Sequence, residues 1–157
     1  MALPVGTTAP EFSLPDANKT PVSLSSFRGK RAVLLVFYPF AFSRTCTAEL
    51  CQIRDDLGSF ENEDVQVLAI STDTAQSLKA WSLAQGYTFP LLSDFWPHGE
   101  VARTYDVFFD KSGMALRGTF LVDADGVIQF SEANGPGQPR DQTAWKRAVA
   151  ALPARAV

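Results

Sequence analysis

The sequence predicts an α/β protein with a central mixed sheet flanked by helices. Residues 32–39 form a β-branched and aromatic run without alternation, which is typical of a strand covered on both faces. A second buried run at 64–72 is followed by a helical pattern, so we expect parallel pairing through a helical crossover. Asp125-Gly126 lies between two further apolar runs and is a strong antiparallel hairpin signal.

Besides the helix that carries the two cysteines, the first half of the chain gives five elements in order. Residues 11–14 and 21–24 flank the turn sequence PDANKT and are predicted to form a short hairpin. The central strand at 32–39 ends at its proline. The strand at 64–72 follows, and then a helix at 74–85.

The second half adds shorter elements and a terminal helix. We expect a short strand at 89–94, a short helix at 99–108 and the hairpin strands within 117–132. Residues 141–152 form an amphipathic helix whose apolar face consists of Trp145, Ala148, Val149 and Leu152.

Composition predicts one domain spanning residues 1–157. Apolar residues make up 46% of the chain and charged residues 20%, and the net charge is −3, which disfavours a nucleic-acid partner. A single histidine, His98, argues against a metal site, and we read it as structural. No signal segment or long apolar stretch is found, so we expect a cytoplasmic protein with no membrane partner.

The two cysteines lie five residues apart on a predicted helix. Cys46, Leu50, Ile53 and Leu57 recur at helical spacing, so Cys46 is expected to face inward. Cys51 lies about 140° away around the helix axis, on the polar side.

The position of Cys46 favours a thiolate in one respect and opposes it in another. The first turn of a helix has free backbone N–H groups and favours an anion. Phe37, Phe40 and Phe42 are expected to surround the sulfur and desolvate it, so a cation is needed nearby. From the residues alone, an inert buried cysteine remains an alternative.

Pro39, Ser43 and Cys46 match the pattern P-x-x-x-[ST]-x-x-C, which follows a buried strand and opens a helix here. In this feature, and in the stretches VGTTAPEFSLPD, SDFWPHGEVARTYDVF and RGTFLVDADGVI, the chain resembles the peroxiredoxins. It is most similar to the alkyl hydroperoxide reductase E subgroup, with added similarity to the bacterioferritin-comigratory type. The resemblance implies a thioredoxin-like fold with the peroxiredoxin N-terminal hairpin and insertions.

The resemblance also implies roles for individual residues. Cys46 would be the peroxidatic cysteine and would become a sulfenic acid. Arg117 would supply the cation that the sulfur needs, and Arg44 is a weaker candidate for this role. The alternative is that Arg117 is only a surface arginine that leads into a strand. Ser43 would hydrogen-bond the thiolate or act only as a helix cap, and Pro39 would fix the loop.

Cys51 corresponds to the resolving cysteine of the bacterioferritin-comigratory type. On an intact helix its Cα would lie roughly 8.5–9 Å from that of Cys46, beyond the ~7 Å reach of a disulfide. A bond between them therefore requires the helix to unwind. The alternatives are an incidental Cys51 and a one-Cys enzyme resolved by an external thiol.

The function predicted is a thiol peroxidase that reduces hydrogen peroxide, organic hydroperoxides or peroxynitrite without a cofactor. Thioredoxin, mycoredoxin or another small dithiol protein would recycle it, and the family implies a homodimer. A disulfide reductase is disfavoured because it needs C-x-x-C spacing. A redox-sensing or holdase-type interaction protein is the non-enzyme alternative.

Overall fold

The structure is a computed structural model, which describes residues 2–135 and 138–152. The predicted domain of residues 1–157 therefore includes residue 1 and two short segments, 136–137 and 153–157, that lie outside the described residues. The strands are β1 Ser13–Pro15, β2 Pro21–Ser23, β3 Ala32–Phe37, β4 Val65–Ser71, β5 Leu91–Ser93, β6 Phe108–Phe109, β7 Met114–Ala115, β8 Arg117–Val122 and β9 Ile128–Asn134. The helices are α1 Arg44–Asp55, α2 Ala75–Gln85, α3 Glu100–Thr104 and α4 Gln142–Ala150.

Five strands form the central sheet in the order β5-β4-β3-β8-β9. β3 pairs parallel with β4, and β4 pairs parallel with β5. β8 pairs antiparallel with both β3 and β9. The sheet is mixed, as the sequence predicts, and β3 lies at its centre with all six residues buried.

Two of the helices, α1 and α2, begin at residues that cap their N-termini. Ser43 precedes α1 and Thr74 precedes α2, and each side chain accepts a hydrogen bond from a backbone N–H of the first turn. Gly86 caps the C-terminus of α2 in a left-handed backbone conformation, which is favourable for a residue without a Cβ. The turn between β8 and β9 is closed by Asp123, whose side chain accepts from two backbone N–H groups.

Alternation along β3 divides the core between the two faces of the sheet. Val33, Leu35 and Phe37 pack with the N-terminal segment and α3. The residues between them face α1, α2 and α4, in the cluster that also contains Cys46. The sheet is therefore covered by helices on both faces, and the candidate site lies on the second face.

The two-stranded sheet of β6 and β7 is absent from the sequence expectations. Each of its strands has only two residues, too few to produce a period-two pattern. Within the described residues, no helix is long and apolar enough to cross a membrane.

Candidate active site

Cys46 lies in the first turn of α1, directly behind the loop that leaves the central strand. Pro39 is buried in this loop, and Ser43 caps the helix by accepting a hydrogen bond from the Cys46 N–H at 3.4 Å. The thiol faces the interior, as the helical spacing predicts, and the residue is 0% exposed. Its sulfur therefore does not contact bulk water in this conformation.

Arg117 reaches the sulfur from the first residue of β8. Alternation along β8 directs residues 117, 119 and 121 toward the face of the sheet that carries α1. The Arg117 Nη1 donates to Cys46 Sγ at 3.2 Å and to the Glu49 carboxylate at 2.8 Å. The side chain is only 3% exposed. The structure thus brings two predicted site residues, 71 positions apart, into direct contact.

Glu49 links Arg117 to a second buried arginine, Arg140. The Arg140 backbone N–H and side chain both donate to the Glu49 carboxylate, the closest pairs being 2.9 Å apart. Arg140 Nη1 also donates to the carbonyl oxygens of Phe37 and Gly118, at 2.6 and 3.1 Å. Arg140 therefore ties α1 to the ends of the two central strands.

The charges in this cluster keep Glu49 in its ionised form. Burial alone would raise the pKa of Glu49, but the hydrogen bonds and charge of Arg140, together with the charge of Arg117, lower it overall. Glu49 is thus a carboxylate between two guanidinium groups. These three side chains form one buried network of charged groups that lies directly against the Cys46 sulfur.

The apolar surroundings of Cys46 differ from those predicted from the sequence. Phe37 points to the opposite face of the sheet, while Phe40 and Phe42 are 40% and 59% exposed. The expectation that these three rings enclose the sulfur is wrong because β3 alternates and the loop carries the other two rings outward. The cluster that contains Cys46 includes Tyr38, Ala41, Leu50, Ile53 and Trp81.

The loop before α1 is fixed by an aspartate from the end of β4. Asp73 accepts from the Ala41 N–H at 2.8 Å and from the Ser71 hydroxyl at 2.7 Å. Phe42, which follows Ala41 in the loop, has a left-handed backbone with φ of 66°, which is unusual for a bulky residue. This anchor holds the chain in the turn that leads to Cys46.

Cys51 occupies a separate, half-buried position on α1. Its Sγ donates to the Gln85 side-chain oxygen at 3.5 Å and lies 3.6 Å from the Tyr87 hydroxyl. Both cysteines are free. α1 is continuous from Arg44 to Asp55, so the helical geometry that separates the two thiols is intact.

Sequence reasoning missed Glu49 and Arg140. Glu49 follows Cys46 by three positions and so falls on the apolar face of α1, where a carboxylate needs a buried cation. A carboxylate on an apolar helix face is visible in the sequence, so this position could have predicted Glu49 as a site residue. Arg140 lies outside any regular element and carries no periodic pattern. His98 is exposed and contacts the Gly113 carbonyl oxygen at 2.6 Å, while Arg44 is exposed.

No group of three or more His, Cys, Asp or Glu side chains in the described ranges is arranged to hold a metal ion. The arrangement consists of a buried thiol at a helix N-terminus, a guanidinium against its sulfur and a mixed sheet beneath them.

Comparison with known proteins gives the family. The chain belongs to the AhpC/TSA family, whose model matches residues 5–131. It is 52% identical over 152 residues to the alkyl hydroperoxide reductase E of Mycobacterium tuberculosis, covering 97% of this chain and 99% of the relative. It is 38% identical to the peroxiredoxin Bcp of Escherichia coli, over 81% of this chain and 83% of the relative.

Solved structures with a similar fold belong to related proteins. The AhpC of Enterococcus faecalis matches with a TM-score of 0.85 and 30% identity, over 96% of this chain and 92% of that one. The peroxidoxin BcpB of Mycobacterium tuberculosis matches with a TM-score of 0.82 and 28% identity, over 96% and 98%. The predicted family, fold class and thiol peroxidase activity are thereby confirmed.

Proposed function

We propose that Cys46 is the cysteine that peroxide oxidises and that Arg117 activates it. The observation that carries this proposal is the 3.2 Å contact between Arg117 Nη1 and Cys46 Sγ inside a buried cluster of charged groups. An ordinary thiol is only about 3% ionised at pH 7. A fixed guanidinium against the sulfur, together with the first-turn N–H groups of α1, favours the reactive thiolate.

The oxidation step needs no cofactor. A lone pair of the Cys46 thiolate attacks the terminal oxygen of the peroxide, the S–O bond forms and the O–O bond breaks. The leaving alkoxide or hydroxide takes up a proton, which gives an alcohol or water, whereas peroxynitrite releases nitrite; in each case the sulfur becomes a sulfenic acid. Arg117 stabilises the negative charge that moves from sulfur to the leaving oxygen.

Peroxide must first reach a sulfur that is fully buried. The step therefore requires a local movement, and the loop before α1 is the segment nearest to the thiol in sequence. Ser43 and Pro39 support this loop: Ser43 caps the helix, and Pro39 fixes its own φ and offers no N–H donor. In the proposed reaction the Ser43 hydroxyl also hydrogen-bonds the reacting sulfur or peroxide.

Cys51 resolves the sulfenic acid in this proposal. The Cys51 thiol attacks Cys46 Sγ, the S–S bond forms, the S–O bond breaks and one water is released. Because an intact helix holds the two Cα atoms roughly 8.5–9 Å apart, the turn between them must unwind first. The 38% identity to a Bcp-type peroxiredoxin supports a two-cysteine cycle.

The remaining components of the cycle follow from the family. We propose hydrogen peroxide, organic hydroperoxides or peroxynitrite as substrates, and the name of the mycobacterial relative favours alkyl hydroperoxides. A small dithiol protein such as thioredoxin or mycoredoxin would reduce the intrachain disulfide. A homodimer in the cytoplasm is the expected setting.

The test combines single-cysteine variants with one equivalent of peroxide. Mass spectrometry of the parent should show an intrachain Cys46–Cys51 disulfide, and Cys51→Ser should accumulate one added oxygen on Cys46. Cys46→Ser should consume no peroxide. If Cys51→Ser is recycled by a dithiol reductant as fast as the parent, and the parent forms no intrachain disulfide, the resolving role of Cys51 is wrong and the one-Cys cycle replaces it.

A further inference from the structure

Tyr87 lies where it holds together the part of α1 that must unwind. Its hydroxyl donates to the backbone carbonyl oxygen of Thr47 at 3.4 Å and lies 3.6 Å from Cys51 Sγ. In the helix, the Thr47 carbonyl is also the acceptor for the Cys51 N–H, four residues on. The Tyr87 hydroxyl therefore contacts both the side chain of Cys51 and the Thr47 carbonyl that accepts from the Cys51 backbone N–H.

Tyr87 itself is firmly held and does not belong to α1. Its N–H donates to the Ser82 carbonyl at 3.1 Å, and its own carbonyl accepts from the Ser82 hydroxyl at 3.2 Å. The ring stacks on Phe89, with centroids 5.3 Å apart, and meets Trp81 edge-on at 5.1 Å. The contact thus joins α1 to a fixed point beyond the end of α2.

Neighbouring side chains strengthen the same attachment. Gln85 accepts from the Cys51 thiol at 3.5 Å, and Arg54, one turn further along α1, donates to the Gln85 carbonyl at 2.6 Å. Burial raises the pKa of the Tyr87 phenol, and its hydrogen bond with Cys51 adds to the shift, so this hydroxyl remains protonated and able to donate at neutral pH.

We infer that Tyr87 is a positioning residue that sets how fast Cys51 reaches the oxidised Cys46. The inference rests on the proposed resolving role of Cys51. Unwinding the turn from Cys46 to Cys51 breaks the Thr47 contact, and moving the thiol breaks the Cys51 contact. Tyr87 therefore favours the folded helix over the unwound one, and it leaves the peroxide step, which occurs on the folded helix, unaffected.

The test is Tyr87→Phe, which keeps the ring stacking and removes only the hydroxyl. Stopped-flow tryptophan fluorescence, with quenched samples analysed by mass spectrometry, separates oxidation of Cys46 from disulfide formation. We expect disulfide formation to accelerate about twofold to tenfold, the range that the loss of one ordinary hydrogen bond corresponds to. The second-order rate of Cys46 oxidation should stay within twofold of the parent.

Tyr105→Phe is the matched control. Its hydroxyl donates to the Pro10 carbonyl at 2.6 Å, the residue is buried as Tyr87 is, and it lies in the core on the opposite face of the sheet. This variant should lose a buried hydroxyl without accelerating disulfide formation. If Tyr87→Phe does not fold, Gln85→Leu removes the acceptor for the Cys51 thiol and should accelerate the same step.

The outcomes separate this inference from the function on which it rests. If the parent forms the intrachain disulfide but Tyr87→Phe forms it at the same rate or more slowly, Tyr87 does not restrain the helix. Equal acceleration in Tyr105→Phe would also overturn the inference, since it would indicate general loosening. If no intrachain disulfide forms in the parent, the resolving role of Cys51 fails and the inference fails with it.

Discussion

Replacing Arg140 by methionine removes the cation that ties Glu49 to the central strands. The side chain is 0% exposed and its donors reach the Glu49 carboxylate and the carbonyl oxygens of Phe37 and Gly118. Breaking a buried pair from one side costs about 3–5 kcal/mol; here Glu49 keeps only Arg117, and the carbonyl oxygens of Phe37 and Gly118 lose their donor as well. Total stability for a domain is about 5–15 kcal/mol, so this loss is large.

The assay is urea unfolding at neutral pH, supported by thermal melting. We expect Arg140→Met to lower the free energy of unfolding by about 3–5 kcal/mol and the Tm by roughly 10 °C. Arg103→Met is the control, because Arg103 pairs with Asp110 at 3.0 Å on the surface, where both side chains are more than half exposed. An exposed pair contributes about 1 kcal/mol or less.

The pH dependence gives a second, independent check. The pKa of Glu49 is lowered in the folded state, so its pairing stabilises the fold above the ordinary value of 4.5 and this stabilisation is lost as the pH falls below it. The difference between parent and Arg140→Met should therefore shrink in acid. Equal losses for Arg140→Met and Arg103→Met, or a difference that does not change with pH, would refute the reasoning.

Two further predictions concern Asp94 and Ser43. Burial raises the pKa of Asp94 to about 6 from 3.8, so the contribution of Asp94 to stability falls as the pH rises through that interval. The midpoint of urea unfolding should therefore fall over this pH range in the parent but not in Asp94→Asn. Parallel pH profiles of the two proteins would contradict the prediction. Ser43→Ala should lower the free energy of unfolding by about 1 kcal/mol, because the helix cap is lost, and should also slow oxidation by peroxide in stopped-flow fluorescence. Thr74→Ala, at the equivalent cap of α2, should lower stability alone. Equal peroxide rates in both variants would mean that Ser43 is only a helix cap.

Local sequence patterns were enough to predict the strands of the central sheet and the four helices around it. The unbroken apolar run of β3 and the Asp-Gly turn after β8 are local signals, and the structure places each as expected. The inward direction of Cys46 also follows from helical spacing alone. β6 and β7 were missed because two residues cannot show a period.

The candidate site was only partly predictable, because its contacts join distant segments. Arg117 came from the family resemblance, since nothing in its local sequence distinguishes it from a surface arginine. Glu49 could have been found as a carboxylate on an apolar helix face. Arg140 could not, because its partner lies 91 positions away and it belongs to no periodic element. The aromatic setting was wrong because backbone turns in the loop, at Phe42 above all, redirect the rings.

The reactivity of the Cys46 sulfur beside Arg117 is the property on which the proposed function depends most. The direct measurement is the second-order rate of Cys46 oxidation by hydrogen peroxide, followed by tryptophan fluorescence in Cys51→Ser with and without Arg117→Met. We expect a rate far above that of free cysteine, and we expect removal of the guanidinium to reduce that rate about 100-fold. A rate no faster than free cysteine, or one unchanged by Arg117→Met, would contradict it.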